Sequence, residues 1–382
     1  MEFPPKFHEY YEAPCSVAVR KDGARLGNFI NQLDVTKHDW SRIEINRAIA
    51  VVGFGSDEGV YRNMGRRGAK EGPAAVRKVL YPLAWHDEWC CALHDFGDIV
   101  VEEGGNLLEG QRMLSHLVSV LQGHGIITMV IGGGHETAIG HYLGLERVHD
   151  DLSIINFDAH FDLRELERRG GNVDGDENAH GDAYNIDIDT AAHDDEYGGT
   201  SGTPFRQVAR HCQKHGNPFR YSVVGIQEQA NIPSLFEAAA AFNVRYVLAE
   251  TVHQGNGGIA YGGDGAVPAA AAVHAVLDSA VMAAKNVYMT VCLDVFNSAE
   301  APGVSAPGGA LGLCYVTQVC PMLRRILCSG GSDGNGGVMA IDVVECCPPH
   351  DTSDQRTAKL AALIVYECIR LLNGRWAQPV SG

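Results

Sequence analysis

Short apolar runs recur along the chain, separated by amphipathic stretches. Seven of these runs are almost uninterrupted by polar residues, and we predict a strand for each of them: residues 48–53, 126–131, 152–157, 221–224, 244–247, 287–292 and 338–341. A strand of this kind is covered on both faces, as the strands of parallel sheets are. The pattern therefore predicts a sheet that is buried between two layers.

The stretches between the runs have the spacing of helices. Residues 72–85 open with Gly-Pro, which is typical of a helix start. Residues 106–122 place Leu107, Leu114, Val118 and Leu121 at intervals of seven, four and three. Strands that alternate with helices, without a change of composition along the chain, predict one open, doubly wound α/β sheet.

Charge and hydropathy exclude two classes of partner. The 382 residues include 30 Lys and Arg against 47 Asp and Glu, which gives a net charge of -17, and no segment concentrates the basic residues. A surface that tracks nucleic-acid phosphates needs such a concentration. The most apolar window, about residues 266–284, is rich in alanine and contains His274 and Asp278. We therefore predict a soluble helix there, and neither nucleic acid nor a membrane as a partner.

The amino terminus and the cysteines indicate the cytoplasm. The first residues lack the basic segment and the apolar run of a signal peptide. The 11 cysteines are an odd number, and their spacing, with neighbours at 90–91 and 346–347, suits neither a disulfide framework nor a C-x-x-C zinc site. We therefore expect reduced thiols and a cytoplasmic location.

Polar side chains follow three of the predicted strands at the point where each strand ends. The candidates are His135 after residues 126–131, Asp158, His160 and Asp162 after residues 152–157, and Cys292 and Asp294 at the end of residues 287–292. Ligands of open α/β sheets collect at the carboxyl ends of the strands. We therefore expect these six side chains to converge on one site.

Carboxylates and imidazoles at such an edge are costly to bury unpaired, and no set of basic residues lies near them in the sequence. Divalent cations would neutralise them, and imidazole with several carboxylates suits a pair of ions such as Mn²⁺ that share bridging ligands. Each motif alone has a simpler interpretation: His135 as a turn residue after three glycines, and residues 158–162 as a hydrogen-bonded strand end. Together the motifs predict a binuclear metal site.

These motifs resemble those of a known family, the ureohydrolase superfamily of arginase and agmatinase. The matching segments are residues 132–136 (GGGHE), 158–162 (DAHFD), 301–307 (APGVSAP) and 345–348 (ECCP). Within the superfamily, residues 63–69 (NMGRRGA), 201–207 (SGTPFRQ), 225–227 (GIQ) and 229–231 (QAN) look most like the formiminoglutamases. The resemblance runs from about residue 45 to 372.

The resemblance implies a three-layer α/β/α arginase-like fold with a central, mostly parallel sheet, two Mn²⁺ ions per subunit and a homo-oligomer. It also implies a single catalytic domain over residues 45–375, preceded by an amino-terminal extension over residues 1–44. The implied reaction is hydrolysis of the formimino C–N bond of N-formimino-L-glutamate, which gives L-glutamate and formamide in histidine degradation.

The ligand set follows from the resemblance. It implies that His135, Asp158, Asp162 and Cys292 hold the first ion. The second ion would be held by Asp158, His160, Cys292 and Asp294. The superfamily has an aspartate that bridges both ions at the position of Cys292. This sequence therefore departs from the pattern at a shared ligand.

The resemblance also implies three catalytic residues. Asp162 would move the proton of a bridging water. Glu345 matches the carboxylate that pairs with the amidinium of the substrate. His180, within the long Gly- and Asp-rich segment 170–202, has the spacing of the proton-shuttle histidine. The simpler interpretation of His180 is a solvated loop residue.

Two arginines favour an anionic small-molecule substrate. Formiminoglutamate brings two carboxylates, which call for arginine contacts. Arg164 follows the Asp162 ligand by two residues, and Arg206 follows the long segment. Both can instead be surface residues.

Two other functions are compatible with the sequence. One is hydrolysis of agmatine or another guanidino compound, which releases urea. The other is a metal-poor, non-catalytic relative, for which Cys292 is the only support.

Overall fold

The computed structural model describes residues 3–20, 23–37, 40, 43–86, 88–166, 199–254, 259–262, 265–329 and 337–377. The strands in this part of the chain are β1 Tyr11–Glu12, β2 Asn31–Gln32, β3 Ala48–Gly55, β4 Ala92–Val100, β5 Ile127–Gly132, β6 Leu152–Phe157, β7 Tyr221–Ile226, β8 Arg245–Leu248, β9 Ile259–Gly262, β10 Gly265–Pro268, β11 Asn286–Cys292 and β12 Gly337–Val344.

The same ranges contain eleven α-helices. These are α1 Phe7–Tyr10, α2 Glu58–Arg62, α3 Gly72–Leu80, α4 Leu107–Gly123, α5 Thr137–Glu146, α6 Pro204–His215, α7 Pro233–Ala241, α8 Ala249–Gln254, α9 Ala269–Met282, α10 Cys320–Cys328 and α11 Arg356–Ala377. None of the helices in the described ranges has the length and apolar character that crossing a membrane requires.

One sheet organises the molecule, and its strand order is β1-β4-β3-β5-β12-β11-β6-β7-β8, with β2 beside β4. From β4 to β8 every neighbouring pair is parallel. The short β1 is antiparallel to β4, and β9 and β10 form a separate antiparallel pair. The predicted mostly parallel sheet is therefore confirmed.

Two hydrophobic cores lie on opposite faces of this sheet. Alternate residues of β3 contribute to each: Ile49 and Val51 pack in one core, and Ala50 and Val52 pack in the other. The first core also takes residues from α3, α9, α10 and α11, and the second takes residues from α4, α5, α6 and α7. Because side chains of a strand alternate between its faces, both faces of the sheet are covered. The three-layer α/β/α fold is confirmed.

The seven predicted strands are all present, with ends that differ by up to three residues. The pattern missed β1, β2, β4, β9 and β10. The longest of these is β4, whose sequence ALHDFGDIV interrupts the apolar residues with charges. Those charges have buried partners, because Arg77 donates to Asp95 at 2.9 Å and to Asp98 at 2.5 Å. Hydropathy alone does not reveal such pairing.

The two predicted helices are α3 and α4. Helix α3 ends at Leu80 and not at residue 85, since Pro82 has no amide hydrogen with which to continue the helix. Helix α4 begins after Asn106, whose side chain accepts a hydrogen bond from the amide of Glu109 at 3.0 Å. This is an ordinary N-terminal cap.

Residues before the predicted catalytic domain also join the sheet, because β1 and β2 both pair with β4. The division into an extension over residues 1–44 and a domain over residues 45–375 stays a prediction.

Candidate active site

Four neighbouring strands end at the candidate site. In the order β5, β12, β11 and β6 they lie side by side in the parallel part of the sheet. Their carboxyl ends lead to His135, Glu345, Cys292 and Asp158 respectively. Because parallel strands all end at one edge, residues that are far apart in the sequence meet there.

The turn after β5 requires glycine. The amide of Gly133 donates to the carbonyl of Phe54 at 2.6 Å, and a Cβ atom on Gly133 would lie 1.7 Å from the carbonyl oxygen of Ser56. No other residue type fits such a close backbone approach. The turn places His135 just before α5, with its side chain fully buried.

His135 lies at the centre of a first group of candidate ligands. Its Nδ1 atom lies 3.0 Å from Oδ2 of Asp158 and 2.9 Å from Oδ2 of Asp162. Potential ligand atoms of His135, Asp158 and Cys292 all lie within 4.8 Å of one another. All four side chains are buried.

Asp158, His160 and Asp294 form a second group, again with ligand atoms within 4.8 Å of one another. Nδ1 of His160 lies 3.0 Å from Oδ2 of Asp294 and 3.5 Å from Oδ1 of Asp158. The amide of His160 also donates to Oδ1 of Asp158 at 2.7 Å. Asp158 thus belongs to both groups, as a carboxylate that bridges two cations would. We call these six residues, His135, Asp158, His160, Asp162, Cys292 and Asp294, the candidate metal centre.

Residues to which the sequence gave no role brace the candidate metal centre. Asn156 donates to Oδ2 of Asp158 at 3.0 Å and to the hydroxyl of Tyr221 at 2.9 Å. The side chain of Asn231 accepts from the amide of Phe161 and donates to the carbonyl of Ala159, at 3.1 and 2.9 Å. These bonds hold the segment that carries Asp158, His160 and Asp162. The signal in the sequence was the motif at residues 229–231, which contains Asn231 and resembles the formiminoglutamases.

Burial, and after it the crowding of negative charge, shifts the pKa values in the candidate metal centre. Burial raises the pKa of Asp162 to about 6, and the Asp158 carboxylate adds to this effect. Burial followed by Asp158 also raises the pKa of Asp294, and raises that of the Cys292 thiol well above its ordinary value. Burial acts to raise the pKa of Asp158 too, but His135 and His160 lower it below its ordinary value. A bound cation would favour the ionised form of each of these groups.

The donor set fits divalent cations. Nδ1 of His135 is buried against two carboxylate oxygens and still makes no hydrogen bond of suitable geometry to any residue that the structure describes. Its other ring nitrogen, Nε2, is engaged with the hydroxyl of Thr290 at 3.0 Å. Metal-ligating histidines have this arrangement, with one nitrogen toward the ion and the other in a supporting hydrogen bond. Carboxylates and imidazoles are donors that suit Mn²⁺, and the soft thiol of Cys292 is the exception.

Glu345 faces the same site from the end of β12. Its Oε1 atom accepts a hydrogen bond from the amide of His135 at 3.0 Å, and its Oε2 atom is buried without a hydrogen-bond partner among the residues described. Burial, then Glu136 and Asp294, raise the pKa of Glu345 well above its ordinary value. A cationic group next to this carboxyl would favour its ionised form.

Two of these carboxylates have a strained backbone. Asp162 has φ 52° and Glu345 has φ 69°, which lie in the left-handed region that residues other than glycine rarely adopt. The amide of Glu345 donates to the carbonyl of Gly133 at 2.7 Å, and the carbonyl of Asp162 accepts from the amide of Phe205 at 3.2 Å. Strain of this kind, held by surrounding bonds, is concentrated at functional sites.

A cavity of about 290 Å³ opens onto the candidate metal centre, and Glu345, Arg66 and Arg164 also line it. Arg164 is exposed, and its guanidinium has no ion pair or hydrogen bond within the described ranges. Arg66, which we did not expect at the site, donates to the carbonyls of Ser305 and Val304 at 3.2 and 2.6 Å.

Arg206 does not line this cavity. It lies in a larger adjoining cavity of about 1020 Å³, which Arg164 shares. Its Nε atom donates to the carbonyl of Leu163 at 2.7 Å, and its Nη1 atom lies 2.6 Å from a carboxylate oxygen of Glu165. Arg206 thus contacts the residues on both sides of Arg164. His180, the remaining predicted catalytic residue, lies outside the described residues.

Comparison with known proteins identifies the family. The model of the Arginase family matches residues 47–370, which is most of the chain. The chain belongs to the Arginase family. This confirms the resemblance that the strand-end motifs indicated.

Several relatives within the Arginase family carry one name. The chain is 34% identical over 350 residues to "Formimidoylglutamase" of Legionella pneumophila (strain Lens), with 92% of this chain and 93% of the relative covered. It is 34% identical over 327 residues to "Formimidoylglutamase" of Chromobacterium violaceum, with 85% and 88% covered. Family and relatives together make this chain a hydrolase of amidine or guanidino C–N bonds.

A solved structure of the same fold supports the architecture. Trypanosoma cruzi formiminoglutamase with Mn²⁺ matches with a TM-score of 0.64 and 23% identity, and the match covers 87% of this chain and 96% of that chain. At this identity the likeness shows the fold alone.

Proposed function

We propose that this protein hydrolyses N-formimino-L-glutamate to L-glutamate and formamide with two Mn²⁺ ions per subunit. One observation carries the proposal. Oε2 of Glu345, which has no hydrogen-bond partner in the described ranges, shares a cavity with the candidate metal centre. A linear amidinium is both a cation that Glu345 can pair with and an electrophile that needs an activated water. Relatives called formimidoylglutamase support N-formimino-L-glutamate as the substrate over other amidines.

The two groups of ligands would hold the two ions. His135, Asp158, Asp162 and Cys292 would hold the first, and Asp158, His160, Cys292 and Asp294 the second. When bound, the ions supply a water whose pKa is low enough for nucleophilic attack at neutral pH. Asp162 would take up the proton of that water, as the family resemblance implies.

Glu345 would orient the substrate. Its Oε1 atom is fixed by the amide of His135, so Oε2 is held at a defined position beside the first group of ligands. An amidinium paired with Oε2 would therefore lie in the cavity that opens onto the candidate metal centre. The pairing also compensates the unfavourable burial that raises the pKa of Glu345. We further propose, from the family resemblance alone, that His180 donates a proton to the leaving amine.

Arg164 would bind a carboxylate of the substrate. It lines the cavity and its guanidinium has no competing acidic partner within the described ranges. Arg206 would act on substrate binding mainly through Arg164, because it bonds to Leu163 and Glu165 on either side of it. A cavity with two arginines, Arg66 and Arg164, favours an anionic substrate over agmatine, which is a cation.

We also propose a cytoplasmic homo-oligomer. The family resemblance supports the oligomer, and the eleven cysteines, all free, are compatible with a reducing compartment.

A substrate panel tests the proposed reaction. The Mn²⁺-loaded protein is assayed with N-formimino-L-glutamate, agmatine, L-arginine and 4-guanidinobutyrate, and both formamide and urea are measured. We expect the highest kcat/KM with N-formimino-L-glutamate and formamide as its product. Faster release of urea from a guanidino compound would assign the protein to the ureohydrolases, and no turnover of any of the four would support a non-catalytic relative.

A further inference from the structure

Glu136 is a buried carboxyl group to which the proposed reaction gives no role. It follows His135 in the turn after β5, is fully buried, and does not line the cavity. Removing a carboxylate from water is costly unless hydrogen bonds in the protein compensate for the lost hydration. The hydrogen bonds of this side chain therefore indicate what it does in the molecule.

Oε1 of Glu136 accepts two hydrogen bonds from one segment of the chain. The amide of Gly59 donates at 3.0 Å, and the hydroxyl of Ser56 donates at 3.1 Å. Both donors belong to the segment that leads from β3 into α2. The turn after β5 is thus bonded through this side chain to the beginning of α2.

The space between the two segments fits the carboxylate closely. A Cβ atom on Gly59 would lie 2.6 Å from the carboxyl carbon of Glu136. A Cβ atom on Gly134 would lie 1.9 Å from Oε2 of Glu136. A side chain at either glycine would therefore displace the carboxylate, and the fit gives the carboxylate one fixed position.

Gly59 also bonds to two residues that line the cavity. Its carbonyl accepts hydrogen bonds from the amides of Asn63 and Ser201, each at 3.0 Å. Nδ2 of Asn63 donates to the hydroxyl of Ser201 at 3.2 Å. Glu136 is thus connected to this side of the cavity through a single residue. Five residues on this side, which we call the cavity wall, are Asn63, Met64, Gly65, Arg66 and Ser201.

The cavity wall has a second attachment at Arg66. The amide of Arg66 donates to the hydroxyl of Ser305 at 3.0 Å, and its guanidinium donates to the carbonyls of Ser305 and Val304. Between the two attachments, Met64 has φ 59° and is 96% exposed, so packing of its side chain does not hold the strained backbone. The position of the cavity wall therefore depends on hydrogen bonds at both ends, and Glu136 provides those at one end.

We propose that Glu136 is a positioning residue for substrate binding. Acting through Gly59, its carboxylate holds the cavity wall in place opposite the candidate metal centre. The inference rests on the proposed function, because the position of the wall matters only if a substrate binds in the cavity. None of the five wall residues belongs to the candidate metal centre. Loss of the attachment should therefore weaken substrate binding and leave metal binding unchanged.

Variants on both sides of the attachment test the proposal. Glu136→Ala removes both acceptor bonds. Glu136→Gln keeps them, because an amide oxygen can accept from Gly59 and Ser56, and the amide nitrogen replaces Oε2, which has no hydrogen-bond partner among the residues described. Ser56→Ala removes one bond and leaves Glu136 itself unaltered. Ser153→Ala is the control, because Ser153 is a buried serine outside the cavity whose hydroxyl donates to the carbonyl of Ala280 at 2.8 Å.

The readouts are KM and kcat for N-formimino-L-glutamate and, by calorimetry, the number and affinity of bound Mn²⁺ ions. We expect KM to rise about 10- to 30-fold in Glu136→Ala and about 3- to 10-fold in Ser56→Ala, as the loss of two bonds and of one bond predicts. The change in kcat should be smaller, and Mn²⁺ binding should stay at the wild-type level. Glu136→Gln and Ser153→Ala should keep the wild-type KM.

Two results would overturn the proposal and leave the proposed function intact. One is a wild-type KM in Ser56→Ala together with a wild-type KM, or a loss of Mn²⁺ binding, in Glu136→Ala. The other is a KM in Glu136→Gln that is raised as much as in Glu136→Ala, because the charge and not the hydrogen bonds would then matter. If Glu136→Ala does not fold, Ser56→Ala and Glu136→Gln decide alone. A wild-type protein that does not hydrolyse N-formimino-L-glutamate would overturn the proposed function and this inference together.

Discussion

The backbone amide of His135 donates a hydrogen bond to Oε1 of Glu345 at 3.0 Å. This bond joins the end of β5 to the end of β12, which lie next to each other in the sheet. It fixes the carboxylate that would bind the substrate relative to the histidine that would bind the metal. The second carboxylate oxygen is buried and has no hydrogen-bond partner in the described part of the chain.

Replacing Glu345 should separate substrate binding from metal binding. In Glu345→Gln the hydrogen bond from His135 can be kept, but the charge that pairs with the amidinium is lost. We expect kcat/KM to fall by about 10- to 100-fold, as the loss of a charge-assisted bond predicts, with two Mn²⁺ ions still bound. Kinetics give kcat/KM, and metal analysis of the same preparation gives the number of bound Mn²⁺ ions. Glu300→Gln, outside the cavity, is the control, and loss of metal in Glu345→Gln would contradict the assignment.

The two arginines should differ in their effects. Arg164→Ala should raise KM for N-formimino-L-glutamate, by an amount equivalent to about 2–3 kcal/mol if the guanidinium binds a carboxylate. Arg206→Ala should also raise KM, but less, because Arg206 holds the residues on either side of Arg164. Arg325→Ala, which removes an exposed pair with Asp278, serves as the control. Unchanged kinetics in both site variants would remove the structural argument for an anionic substrate.

Cys292 lies in the candidate metal centre where the family resemblance implies an aspartate. A thiolate is softer than a carboxylate, and Mn²⁺ favours oxygen and binds most weakly of the first-row divalent ions. We therefore predict that Cys292→Asp binds Mn²⁺ more tightly and is at least as active. Cys292→Ser nearly keeps the size of the residue but replaces the thiol, and it therefore separates the effect of size from that of ligand chemistry. A Cys292→Asp protein that binds Mn²⁺ no better and turns over more slowly would show that the thiol suits this site.

An ion-pair cluster between α10 and α11 should make stability depend on pH. Glu367 accepts from Arg370 at 2.6 and 2.7 Å and from Arg324 at 3.0 Å, and these bonds, those of Arg370 first, lower the pKa of Glu367. A lowered pKa in the folded state means that the ionised form stabilises the fold. This contribution is present above the ordinary pKa of glutamate and is lost as the pH falls through the lower folded value.

Glu367→Gln should therefore lower the free energy of unfolding at pH 7 by about 0.5–1 kcal/mol, a typical value for partly exposed ion pairs. At a pH below the folded pKa of Glu367 the variant and the wild type should be equally stable. Urea denaturation at the two pH values measures both differences. A difference that persists unchanged in acid would mean that packing, and not charge, accounts for the effect.

Much of the fold could be predicted because the strands of a parallel sheet are apolar along their whole length. The apolar runs at 152–157 and 287–292 correspond to β6 and β11, and the predicted and observed ends differ by at most one residue. β4 could not be found in this way, since Asp95 and His94 are paired with groups from other segments. The pattern of one segment contains no information on such partners.

The candidate site was predictable in part for the same reason. Parallel strands end at one edge, so His135, Asp158 and Asp294 were expected to meet, and the structure places them together. The order of strands across the sheet cannot be derived from hydropathy. The hydrogen bond between His135 and Glu345 could therefore not be predicted, because it depends on β5 and β12 being neighbours. Thr290, which contacts His135, lay within an apolar run and gave no signal of its own.

The most direct test of the proposed function is a titration of metal-free protein with Mn²⁺ during turnover of N-formimino-L-glutamate. We predict that formamide is released in proportion to bound Mn²⁺, reaches its maximum at two ions per subunit, and is accompanied by equal amounts of L-glutamate. His160→Ala, which lacks a ligand of the second group, should release none under the same conditions. Formamide release that is independent of Mn²⁺, or its absence from the fully loaded protein, would contradict the proposed function.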